Sequence, residues 1–155
     1  MASVALICTA NRCRSVMAHA IFVDEAKKRS LAVEVYSAGI IDFSDAPTLD
    51  ETSSMCFRHN TPPPDKPPTW ICELPLESIT RFLVMEQDHA DALVYVHGIS
   101  PERVSLLGEF DPKQRGAEIA DPFAEGEATY ERSYLQIRDC IVEYLESTDE
   151  LRSIP

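Results

Sequence analysis

Near the start of the chain, Cys8-Thr9-Ala10-Asn11-Arg12-Cys13-Arg14-Ser15 places a thiol and a guanidinium five residues apart. A loop of that length, turning from a strand into a helix, can aim successive backbone N–H groups at one centre. The N-terminus of the helix adds free N–H donors and positive partial charge. Arg14 adds a planar fork matched to two phosphate oxygens. These parts make a cradle for a dianion. The same field favours the thiolate of a cysteine, so Cys8 is expected to be the nucleophile of a phosphoryl transfer. The Ser15 hydroxyl is placed to donate to that sulfur. Expulsion of an alkoxide or phenoxide also needs a proton donor. Asp121, stiffened by Pro122 in a long loop, is the candidate, and it would then activate water against the cysteinyl phosphate.

The elements that must position these groups are legible as alternating strands and helices. Val4–Ile7 reads as a buried strand, Arg14–Arg29 as a helix and Val33–Tyr36 as a second strand closed by Ser37-Ala38-Gly39. Thr48–Phe57 reads as a helix with Leu49, Ser53, Cys56 and Phe57 on one face. Thr61–Pro68 holds five prolines in eight residues. It is expected to be neither helix nor central strand, and is read as a stiff surface connection. Phe82–Met85 is a third strand, Asp88–His97 a helix with Asp88 as its cap, and Val104–Leu107 a fourth strand. Gly108–Ala120 is a long loop. Glu127–Glu146 is a helix with Tyr130, Tyr134, Ile137, Ile141 and Leu145 along one face. This order predicts one α/β domain over residues 1–155, a four-stranded parallel sheet with helices on both faces. Ligands of such folds bind beyond the carboxyl ends of the strands. The loops on that edge are Cys8–Arg14, Ser37–Pro47, Glu86–Asp88 and Gly108–Phe123.

Composition narrows the function further. Fourteen Lys and Arg against 26 Asp and Glu leave a net charge of −12, which disfavours nucleic acid and anionic membrane as partners. Any anion site must therefore be local. No apolar run approaches the roughly 20 residues of a membrane span, and the N-terminus lacks the basic start of a signal peptide, so a cytoplasmic protein is expected. Five cysteines with no C-x-x-C pair, and four scattered histidines, argue against a disulfide framework or a zinc site. No cofactor or metal is expected. Cys56, Cys72 and Cys140 are expected in or near the core.

Cys8–Ala18 (C-T-A-N-R-C-R-S-V-M-A), Ser37-Ala38-Gly39, Leu106–Pro112 (L-L-G-E-F-D-P) and Asp121-Pro122 together resemble the low-molecular-weight protein tyrosine phosphatase family. The resemblance spans most of the chain. It implies a four-stranded parallel sheet, no metal, Cys8 as nucleophile, Arg14 as transition-state clamp and Asp121 as general acid. The loop Thr9, Ala10, Asn11, Arg12, Cys13 and Ser15 would bind phosphate, with Asn11 and Ser37 as hydrogen-bonding supports. Cys13 matches a second cysteine that in part of the family pairs reversibly with the nucleophile. Phe43 matches an aromatic wall of the substrate pocket, and Phe123 is set to form the opposite wall. The implied substrate is a phosphotyrosine protein or a small aryl phosphate.

Several positions depart from the family pattern. Ala10 stands where glycine is usual, which would cost about 1 kcal/mol if that residue needs positive φ. Arg12 replaces a small or apolar residue, Val16 replaces proline, and Met85-Glu86 replaces the usual M-D. No residue of the Cys56–Trp70 stretch can be assigned as a support of the loop. Two other functions remain open: a non-catalytic phosphopeptide-binding module, and a thiol-coupled arsenate reductase, which would need a cysteine pair absent from Glu86–Gly98. Phosphoarginine as substrate is disfavoured by like-charge repulsion from Arg12.

Overall fold

The computed structural model describes residues 1–152. Strand β1 (Ala2–Cys8) leads through the cysteine loop into helix α1 (Arg14–Lys28), and β2 (Val33–Gly39) follows. Helix α2 (Asp50–Arg58), β3 (Arg81–Val84), α3 (Gln87–Asp91), β4 (Val104–Leu106) and α4 (Glu127–Ser147) complete the order. The four strands form one parallel sheet in the order β2-β1-β3-β4. Strand β1 is central, so it reads as an unbroken apolar run, Val4 to Cys8 all buried.

Each face of the sheet has its own core. On one side Val4, Leu6 and Cys8 meet Met17, Ile21 and Phe22 of α1 and Tyr134, Ile137 and Ile141 of α4. On the other, Ala5, Ile7, Phe82 and Val84 meet Ile71, Ile79, Leu93 and Ile99. The long helices therefore share one face, while short turns cover the other. All five residues of the α4 stripe expected from spacing are buried.

Five expectations need correction. The α2 face that packs inward is Thr52, Met55 and Cys56, whereas Phe57 is 63% exposed; the helix starts two residues later than expected, at Asp50, and packs against α4. Asp88–His97 is not one α-helix. A single α turn at Gln87–Asp91 widens into a π-helical turn at Ala92–Val96, which buries Leu93 and leaves Tyr95 and Val96 outside. Its cap position is Glu86 rather than Asp88, and the Glu86 N–H donates to His89 Nδ1 at 3.1 Å. Cys72 is exposed, while Cys56 and Cys140 are buried.

Candidate active site

The residues picked out by type and spacing come together at the carboxyl edge of the sheet. Cys8 ends β1 in register with Gly39 at the end of β2. Beyond that pair the chain runs on under the loop, with Ile40 N–H donating to Cys8 O and Ile41 N–H to Thr9 O, at 3.0 and 2.9 Å. A Cβ on Gly39 would stand 2.6 Å from the Ala10 carbonyl carbon and 2.7 Å from the Thr9 carbonyl oxygen. Glycine is thus required by the close approach of the loop, which explains the Ser37-Ala38-Gly39 block.

Positive φ falls on Asn11 (56°), not on Ala10. The strain anticipated for Ala10 is therefore absent, and asparagine is among the few residues that tolerate this region. The Asn11 side chain is the hub of the loop. Its Nδ2 donates to Ser15 Oγ at 2.7 Å, and its Oδ1 accepts from Thr69 N–H at 2.9 Å and Lys66 Nζ at 2.6 Å. Ser15 Oγ in turn lies 2.9 Å from Cys8 Sγ. The Pro-rich segment is thus more than a surface connection, because it delivers Lys66 and Thr69 beneath the loop. Ser37 supports the loop less directly than expected. Its hydroxyl pairs with His19 Nδ1 at 2.7 Å, and only its carbonyl, 3.4 Å from Lys66 Nζ, joins the network.

Arg14 is the largest fully buried side chain, 2% exposed. A buried guanidinium needs charge and hydrogen-bond partners. Glu86 accepts from its Nη1, as does the Ile119 carbonyl at 2.7 Å. Asp121 Oδ2 lies 4.0 Å from Nη2. Glu86 stands two residues after β3, and Ile119 is tied to that strand end by its N–H to Met85 O at 2.9 Å. Arg14, Glu86 and the Asp121 loop are thereby locked to one strand terminus.

His89 completes this side. Its Nδ1 accepts the Glu86 N–H, so in the neutral ring Nε2 carries the proton and donates to Thr9 Oγ1 at 2.9 Å. Burial and the adjacent Arg14 charge hold His89 neutral, lowering its pKa to about 4. Burial pushes the Cys13 thiol up to about 12, so it remains protonated beside the loop.

A cavity of about 260 Å³ opens above these groups. Cys8, Thr9, Ala10, Arg12, Cys13 and Arg14 form its floor and sides, with Asp121 at the rim. Phe43 and Phe123, both partly exposed at 38% and 54%, line it together with Ile41 and Leu49. Arg12 leans outward, its Nε donating to Pro47 O at 3.0 Å. Every site residue expected from the sequence falls in the loop, in this cavity or directly behind it. Sequence reasoning missed Lys66, Thr69, His89 and the role of Glu86. Glu86 and His89 carried a signal, since they follow β3 on the active edge. Lys66 carried none.

The chain is similar to known proteins. Residues 3–153 match the family model described as low molecular weight phosphotyrosine protein phosphatase. The low molecular weight protein-tyrosine phosphatase A of Mycobacterium tuberculosis is 27% identical over 142 residues, covering 89% of this chain and 86% of that protein. The protein-arginine-phosphatase of Bacillus subtilis is 28% identical over 145 residues, covering 90% and 89%. Among solved structures, the low molecular weight protein tyrosine phosphatase of T. tengcongensis superposes with a TM-score of 0.87 at 22% identity, covering 96% of this chain and all of the other.

Proposed function

Because this chain belongs to the low molecular weight phosphotyrosine protein phosphatase family, we propose that it removes phosphate from protein phosphotyrosine by way of Cys8. It is a cysteine-based phosphatase. In the first step the Cys8 sulfur attacks phosphorus, the bond to the phenolic oxygen breaks, and Asp121 gives that oxygen its proton. The Arg14 fork and the loop N–H groups take the equatorial oxygens, where charge accumulates. In the second step water attacks the cysteinyl phosphate, Asp121 accepts its proton, and Cys8 leaves as thiolate, eased by the Ser15 hydroxyl. Inorganic phosphate is the second product.

The observation that carries this reading is the shared cavity. Cys8, Arg14 and Asp121 line one space walled by two aromatic rings, Phe43 and Phe123, a slot suited to a planar phenyl ring. A relative acts on phosphoarginine by name, so that substrate is the alternative to exclude. The Arg12 cation on the cavity wall opposes a guanidinium and favours an aryl leaving group. Five reduced cysteines, one of them the nucleophile, suit a reducing compartment such as the cytoplasm. A panel of phosphotyrosine peptides, phosphoarginine and arsenate, offered to the reduced protein, tests the assignment. The highest kcat/KM is expected for phosphotyrosine. Faster turnover of phosphoarginine, or binding of phosphopeptide without turnover, would overturn it.

A further inference from the structure

We propose that Lys66 is a positioning residue for this reaction, whose ammonium fixes and charges a hydrogen-bond chain that ends on the Cys8 sulfur. The direction of the chain follows from chemistry. An ammonium only donates, so Asn11 Oδ1 must be the acceptor of the 2.6 Å contact with Lys66 Nζ. The Thr69 N–H reaches the same oxygen at 2.9 Å. The opposite amide orientation would set donors against donors. Asn11 Nδ2 therefore faces Ser15 Oγ at 2.7 Å and donates to it. With that lone pair occupied, the Ser15 hydroxyl turns its proton to Cys8 Sγ at 2.9 Å. Every link then points at the sulfur.

The charge is the second argument. The acceptors of the Lys66 ammonium are neutral: Asn11 Oδ1, Thr69 Oγ1 at 2.9 Å and Ser37 O at 3.4 Å. Among the described residues, no carboxylate lies within 4.0 Å of it. The groups facing it are Cys8 from β1, His19 from α1 and Glu73 from the turn at Ile71–Glu73. His19 is held neutral, its pKa lowered to about 4 by burial and by Lys66 itself. Glu73 is engaged by the Trp70 N–H at 3.2 Å. A half-buried cation without a contacting carboxylate under an anion-binding loop acts on the anionic sulfur, with Glu73 as the one more distant carboxylate that pulls on it. Burial lowers the Lys66 pKa to about 8, against the pull of Cys8 and Glu73, so the cation is present at neutral pH and titrates just above it.

Thr69 N–H still holds Asn11 when the ammonium is removed, so charge and loop shape can be separated. The proposal rests on Cys8 as nucleophile. Alkylation by iodoacetamide, followed on the Cys8 peptide by mass spectrometry, reads the sulfur without requiring turnover. Normal alkylation without phosphotyrosine turnover would therefore count against the substrate reading alone. At pH 7, Lys66→Met is expected to slow alkylation about tenfold, the effect of roughly one pH unit on a thiol, with the thermal midpoint little changed. Lys66→Arg, which keeps the charge, is expected to retain most of the native rate. It should also move to higher pH the change in Cys8 alkylation expected as Lys66 loses its proton near pH 8. Native alkylation of Lys66→Met, or equal slowing of both variants, would overturn the proposal. If Lys66→Met does not fold, a pH profile of Cys8 alkylation unchanged in Lys66→Arg overturns it.

Discussion

Arg14 and its surroundings show how much of this site is built before any substrate arrives. Its guanidinium is buried, and Glu86 with the Ile119 carbonyl holds it in place. Glu86 is itself partly exposed, but removing it leaves a buried charge unpaired, which costs about 2 kcal/mol, the lower end of the range for buried pairs. Glu86→Ala is therefore expected to lower kcat/KM for an aryl phosphate by about 30-fold or more, since roughly 2 kcal/mol corresponds to that factor. Steady-state kinetics with a parallel melting curve checks it. His19 and His89 make a different prediction. Both have folded-state pKa values lowered to about 4 from 6.5, chiefly by burial. The unfolded chain takes up their protons first as pH falls, so stability is full above about 6.5 and declines between there and 4. Urea midpoints measured across that window should fall with pH. His89→Gln, which cannot titrate, should flatten the dependence.

The elements carry the site through their ends. Strand β1 stops at Cys8, β2 passes under the loop at Gly39, and β3 stops where Met85 anchors Ile119. Gly39→Ala would push a methyl group into loop backbone. Overpacking of this kind costs about 1–3 kcal/mol. The variant should still fold, with catalytic loss larger than its change in melting point explains, because the displaced atoms belong to Thr9 and Ala10. At this scale the sequence was most readable where a covalent spacing decides the outcome. Cys8 to Arg14 spans one strand-to-helix turn, and the α4 stripe follows from helical period alone. Long-range placement was not readable. Lys66 lies 55 residues from Asn11, and proline content says what its segment cannot be, not where it goes. The inward face of α2 was misjudged because Phe57 is apolar yet lies exposed, while Thr52 and Met55 turn inward. The π-helical turn after β3 has no local marker in Ala92–Val96. Asn11, rather than Ala10, holds the positive φ, a distinction invisible to motif spacing.

Across the whole molecule a small basic centre is set in an acidic body. Arg12 and Arg14 line the cavity, and the net charge is −12. The cavity adjoins a larger one of about 720 Å³ that shares Leu49 and Phe123 with it and includes Asp50, Glu51 and Glu127 in its lining. Long-range repulsion of an acidic substrate is screened by salt, whereas attraction of a basic one is weakened by it. For phosphotyrosine peptides with acidic flanks, kcat/KM should rise with ionic strength from about 10 to 150 mM, and for basic flanks it should fall. Identical salt dependence for the two peptides would show that the global field does not reach the site.

In the proposed reaction Cys8 carries the phosphoryl group and Asp121 is needed to release it. The direct measurement is mass spectrometry of Asp121→Ala quenched during reaction with an aryl phosphate of good leaving group. The account predicts one added phosphoryl group on the peptide containing Cys8, and none in the Cys8→Ser, Asp121→Ala double variant at a cysteine. Unmodified Cys8 during continuing turnover, or native turnover by Cys8→Ser, would contradict it.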